Sequence, residues 1–134
     1  DPESAHTPKT PVRIFEKTYL RVINKVRDMG YTPLIMSLPP IDAQRYFDFF
    51  TRTFNEEQRK NVLKWLKGSV DTIWAGHELY NDAVKRVSAL TDTQLIDITT
   101  PLGNGASYLC ADGIHPNLYG QATIAKIINK NIIH

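Results

Sequence analysis

Cysteine is nearly absent. Cys110 alone excludes an internal disulfide framework and any multi-cysteine metal site; it fits a reducing compartment without requiring one. Long apolar runs are missing too. Nothing approaches the roughly eighteen consecutive apolar residues that a membrane span needs, and the N-terminus lacks the basic and apolar regions of a secretory signal. The chain opens on Asp1 rather than Met, so a processed end, a trimmed end or an absent upstream piece is expected, and no targeting is inferred. Charge of one sign is equally scarce: the net charge is +2 and the pI about 8.7. The densest basic stretch, Arg59, Lys60, Lys64 and Lys67 around Trp65, falls at helical spacing, as a solvated helix face does. Nucleic acid is therefore not an expected partner. No His and carboxylate pairs stand at metal-ligand spacing, so neither a metal nor another cofactor is expected.

What the chain does have is 134 residues, 42% of them hydrophobic, enough for one globular domain with an ordinary core. Thr10 and Pro11 read as cap and first helical position. Val12, Phe15, Tyr19, Val22, Ile23 and Val26 follow as one apolar stripe, and Gly30 is the stop. The run Pro33 to Leu38, closed by Pro39-Pro40, suits a buried strand. Asp42 caps a helix carrying Tyr46, Phe47, Phe49 and Phe50, and Asn55 with Gln58 makes a capping box for Glu56 to Lys67, ended by Gly68. A longer helix places Ile73, His77, Tyr80, Val84 and Val87 on one face, where His77 reads as a hydrogen-bonded core residue. Gln94 to Ile98 is a second strand, with Asp97 a strand-end residue, and Asn117 caps a last helix containing Leu118, Ala122, Ala125 and Ile128.

Helices between the strands imply a parallel α/β arrangement. Two strands are too few for a parallel sheet covered on both faces. Further strands are thus expected, upstream of Asp1 or on another chain, covering Leu34, Ile35, Leu95 and Ile96.

The chemistry concentrates in Asp112-Gly113-Ile114-His115-Pro116-Asn117. Nucleophilic serine catalysis needs a base for the hydroxyl proton and a carboxylate that holds the imidazole in one tautomer. A three-residue step across a glycine-containing turn brings Asp112 near His115, making His115 the candidate general base and acid and Asp112 its orienter. The alternative is a capping turn in which Asp112 accepts backbone N–H groups and His115 is a surface residue. The aromatic group Tyr46, Phe47, Phe49, Phe50 and Phe54 follows the C-terminal end of the first strand, where open α/β sheets place ligands. It lines an acyl pocket, with Phe50 as a substrate-binding residue, or forms a lid, or simply packs its helix onto the sheet.

The longer string Asp112-Gly113-Ile114-His115-Pro116-Asn117-Leu118-Tyr119-Gly120-Gln121 resembles the last conserved block of the SGNH hydrolases, also called GDSL esterases and lipases. The likeness extends through Tyr80-Asn81, Leu95-Ile96-Asp97-Ile98 and Leu38-Pro39-Pro40. It implies a three-layer α/β/α flavodoxin-like domain with a central parallel sheet, of which residues 1–134 form the C-terminal part. It also implies hydrolysis of a small acyl ester (lipid, carbohydrate acetyl or other) through an acyl-enzyme, with Asp112 and His115 as the catalytic pair. The family's Gly-Asp-Ser nucleophile block, its oxyanion-hole glycine and its Gly-x-Asn-Asp block are absent here and belong upstream. The missing N-terminal half, on the same or a separate chain, is thus the implied partner. In that register Asp1 ends the Gly-x-Asn-Asp block and His6 approaches the site, which makes both candidates for substrate binding. None of Ser4, Ser37, Ser69, Ser88 and Ser107 sits in Gly-x-Ser-x-Gly or Gly-Asp-Ser, so this chain alone is expected to hydrolyse no ester. The rival expectation is a non-catalytic binding module that keeps the final turn for structure.

Overall fold

The computed structural model describes residues 7–132. In chain order they form α1 (Val12–Asp28), β1 (Ile35–Met36), α2 (Ala43–Phe50), α3 (Glu56–Trp65), α4 (Asp71–Thr91), β2 (Leu95–Ile96), α5 (Thr99–Leu102) and α6 (Leu118–Ile132). Helix α1 starts one residue later than the Thr10 cap implies. Pro11 is its N-cap, and the Pro11 carbonyl accepts from the amides of Ile14 and Phe15. It stops where Gly30 turns left-handed at φ +83°, with Tyr31 N–H bonded to the Val26 carbonyl at 3.2 Å, the six-to-one bond of a glycine-terminated helix. Asp42 caps α2 by accepting from Arg45 N–H at 2.9 Å, and Asn55 with Gln58 closes a full capping box on α3.

The two strands pair in parallel, Ile35 opposite Leu95 and Met36 opposite Ile96. On one side of the pair Ile23, Ile35, Val84 and Val87 form a core against Phe15, Tyr19 and Leu20; on the other, Ile96, Ile98 and Leu102 pack against Tyr108, Ile124 and Ile127. Each buried aliphatic side chain of this kind contributes about 1.5–3 kcal/mol. The inward faces differ in detail from the stripes read in the sequence: Val22 on α1 is half exposed, and α6 buries Ile124 and Ile127 while Leu118 is 85% exposed.

The three-layer flavodoxin-like sheet is overturned. Among the described residues there are six helices and only these two strands, each two residues long. Ile35 and Ile96 are buried to 5% and 2% exposure, whereas Leu34 and Met36 beside them are each 40% exposed. The physical reason for such short strands is local. Pro33, Pro39 and Pro40 bring no N–H to a ladder, and past Met36 a side chain takes over the pairing: Ser37 Oγ accepts from the backbone N–H groups of Ile98 and Thr99 at 2.9 and 3.1 Å. Asn81, fully buried on α4, completes the junction by accepting from Leu38 N–H at 2.8 Å and donating to Thr99 Oγ1 at 3.3 Å. A buried amide satisfied in this way fixes the chain leaving β1 relative to α4 and α5. No helix among the described residues is long and apolar enough to cross a membrane.

Candidate active site at the Asp112 to His115 turn

The turn is built by one carboxylate that uses both oxygens. Asp112 Oδ1 accepts from the backbone N–H groups of Ile114 and His115, each at 3.1 Å, which wraps the chain around it. Oδ2 lies 2.6 Å from His115 Nδ1. These contacts, led by the bond from His115 and followed by those from the Ile114 and His115 amides, draw the Asp112 carboxyl down to a pKa of about 2. An ionised carboxylate carries no proton, so the shared hydrogen belongs to Nδ1, and in the neutral ring the free lone pair then lies on Nε2. The His115 side chain is 72% exposed and Asp112 19%. No hydrogen bond to Nε2 occurs among the described residues. The arrangement can therefore take up a proton at Nε2 and stabilise the resulting imidazolium through Asp112.

Backbone contacts from three directions hold the turn. Cys110 N–H donates to the His115 carbonyl at 2.8 Å and Gly113 N–H to the Cys110 carbonyl at 3.0 Å, and Leu109 bridges Pro116 in antiparallel fashion. Asp42 N–H, at the start of α2, donates to the Gly113 carbonyl at 2.8 Å. That approach requires glycine. Gly113 has φ +75°, and a Cβ there would lie 2.7 Å from the Asp42 carbonyl oxygen and 2.8 Å from the Tyr46 nitrogen. Arg45 spans from α2 to the same loop, its guanidinium donating to the carbonyls of Ala106, Leu109 and Cys110 at 3.2–3.5 Å. Asn117 caps α6 by accepting from Gly120 N–H at 2.8 Å and also donates to the Ser107 and Leu109 carbonyls.

Asp112 and His115 are thus brought together. Phe50 is not beside them in any contact; it stacks on Tyr46 at 6.2 Å and meets Phe54 edge-on at 5.6 Å. Phe47 is buried, and it, Tyr46 and Phe50 all border a cavity between α2, α3 and α4. Asp1 and His6 lie outside the described residues, as does Ser4. Ser37 is buried and engaged at the strand ends, and it donates to Asp97 Oδ1 at 3.2 Å. Burial pushes the Asp97 carboxyl up, but bonds from Thr100, Ser37 and Thr99 outweigh it and hold the group below the usual carboxylate value. Ser69 and Ser88 hydroxyls bond to Asp71 and to the Thr93 carbonyl. No serine hydroxyl bonds to the His115 ring among the described residues. His77 is mostly buried, with Nδ1 3.4 Å from Glu78 Oε1. No cluster of three or more His, Cys, Asp or Glu suited to a metal ion occurs among the described residues.

Arg45 and Asn117 were not singled out as site residues by the sequence. Each reaches carbonyls of the 106–110 loop, and only the folded chain brings those carbonyls near. No family model, curated protein or solved structure matches this chain.

Asp112's depressed pKa sets a pH window. A carboxylate with a folded pKa below its ordinary 3.8 contributes stability that is complete above about pH 4 and is lost as pH falls toward about 2. The Ile114 and His115 amide resonances followed by NMR should therefore titrate with a midpoint near 2; a midpoint near the ordinary 3.8 would show that the carboxylate is not held as described.

Proposed function

We propose that this chain supplies the acid–base half of a serine ester hydrolase of the SGNH kind, with His115 as general base and then acid and Asp112 as its orienting carboxylate. One observation carries the reading. The Asp112 oxygen that the turn does not need is 2.6 Å from His115 Nδ1, while Oδ1 alone accepts both turn amides. A turn kept for structure requires only Oδ1, and the second contact is what a tautomer-fixing carboxylate makes. With a serine hydroxyl at Nε2, the base accepts the hydroxyl proton as oxygen attacks the ester carbonyl. The imidazolium then protonates the departing alkoxide, and the reverse sequence with water releases the acid. The serine and the oxyanion donors come from outside the residues described, on this polypeptide or another, and no cofactor enters the scheme.

Two assays test it. The 134-residue chain by itself should give no turnover of p-nitrophenyl acetate. In the protein that carries the nucleophile, His115→Ala should lower kcat by roughly three to four orders of magnitude or more, the scale on which catalytic-triad members act. Turnover by the isolated chain that His115→Ala abolishes would mean that the nucleophile is resident after all. Turnover of the complete protein that survives His115→Ala would end the proposal.

A further inference from the structure

The cavity between α2, α3 and α4 has a volume of about 350 Å³ and is walled by Tyr46, Phe50, Val62, Trp65, Ile73 and Tyr80. Most of its polar groups are already engaged; among the described residues only the Tyr46 hydroxyl and His77 Nε2 lack a partner. The Tyr80 hydroxyl donates to the Thr10 carbonyl, the Thr72 hydroxyl donates to the Leu66 carbonyl at 2.7 Å, and the His77 ring meets Glu78. What remains for a ligand is mainly hydrocarbon and aromatic surface in a space at the lower end of the range for small-molecule sites, about 300–1,000 Å³. Helix α2 joins this space to the turn: the Tyr46 backbone nitrogen borders Gly113, and its side chain lines the cavity.

We infer that this cavity seats the unbranched hydrocarbon tail of an acyl group, not an acetyl group or a sugar. An acetyl group would fill a small part of a space equal to roughly ten water volumes, at about 30 Å³ each. A sugar would find only the Tyr46 hydroxyl and His77 Nε2 for its several hydroxyls and would leave most of them without partners, which is costly. Each methylene moved from water into such a cavity strengthens binding about four-fold, from about 0.8 kcal/mol. Naming the occupant as part of an ester rests on the esterase reading; the cavity's preference for a hydrocarbon chain does not.

Gly76 supplies a clean test. It lines the cavity from α4, no heavy atom lies within 4 Å of where its Cβ would sit, and its φ is not left-handed. Gly76→Leu therefore fills the space from an ordinary helical position, where replacing glycine also favours the helix. The chain carries two tryptophans, and Trp74→Phe, at an exposed site, leaves Trp65 on the cavity wall as the sole reporter. Titration of its fluorescence with 1-butanol, 1-hexanol, 1-octanol and 1-decanol should show affinity rising about four-fold per methylene and levelling once the cavity is full. Gly76→Leu should abolish the response while the thermal midpoint holds or rises. Absence of binding, affinity that ignores chain length, or an unchanged response in Gly76→Leu would each overturn the inference. The titration involves no turnover. Retained chain-length dependence in a protein whose His115 proves dispensable would therefore remove the esterase reading and keep the cavity, and the opposite pair of results would remove the cavity and keep the enzyme.

Discussion

On the proposed reading, Asp112→Asn should lower kcat of the protein that carries the nucleophile by about 10⁴-fold while lowering the thermal midpoint of this chain only modestly. The amide retains an oxygen for the Ile114 and His115 N–H groups that Oδ1 now receives, so the turn keeps its backbone bonds. At the other position an N–H₂ group would face His115 Nδ1 in place of Oδ2. Two donors cannot share one hydrogen bond, and the ring relieves the conflict by moving its proton to Nε2. The lone pair needed for the serine proton then lies on the wrong nitrogen. KM should change little, because neither residue is required for ground-state binding in this scheme, so the loss falls on kcat. Nitrogen-15 NMR of the His115 ring supplies a readout independent of activity: the native chain should show the proton on Nδ1, and Asp112→Asn should show it on Nε2. A variant that retains full kcat, or a native ring already protonated on Nε2 alone, would contradict the assignment.

Gly120→Ala and Gly76→Ala should move stability in opposite directions. Both glycines lie within helices, where replacing glycine by alanine ordinarily stabilises by about 1 kcal/mol. Gly76 has no atom within 4 Å of the added methyl and should show that gain. Gly120 should not. A Cβ there would stand 2.3 Å from the Tyr108 carbonyl oxygen and 3.2 Å from Pro116 Cβ, and the same carbonyl accepts from Asn117 N–H at 2.8 Å. The start of α6 must back away from the 108–110 segment, which loosens the Leu109 and Pro116 bridge that frames the turn. Overpacking of this kind costs about 1–3 kcal/mol, on the order of 5–10 °C in Tm for a domain of this size. Thermal unfolding of the two variants side by side decides the matter, and a Gly120→Ala protein as stable as the native chain would show that α6 is not packed as closely as described.

These glycines mark where sequence reading and structure part company. The string from Asp112 to Gln121 pointed to a compact His and Asp turn, because the bonds that Asp112 itself accepts span two or three residues and the chain has few ways to arrange them. The helix caps were legible for the same reason: Asp42, Asn55 with Gln58, and Asn117 each bond within three residues of themselves. Both strands were also located, but their extent was not. Ser37 reaches an amide 61 residues away, and nothing near it in the chain announces that its hydroxyl will replace a strand partner. The expectation of a broad parallel sheet failed at that point.

The sequence by itself determined much of the local order of this protein: where the capped helices begin, and that Asp112 and His115 share one short turn. Interactions closed within a single turn depend on little beyond the residues in it. Tertiary structure alone decided that Arg45 braces the loop, that Gly113 and Gly120 admit neighbouring backbone, and that three helices enclose an apolar cavity beside Gly76. Those outcomes arise from elements tens of residues apart settling at one packing distance, and no short stretch of chain encodes that distance.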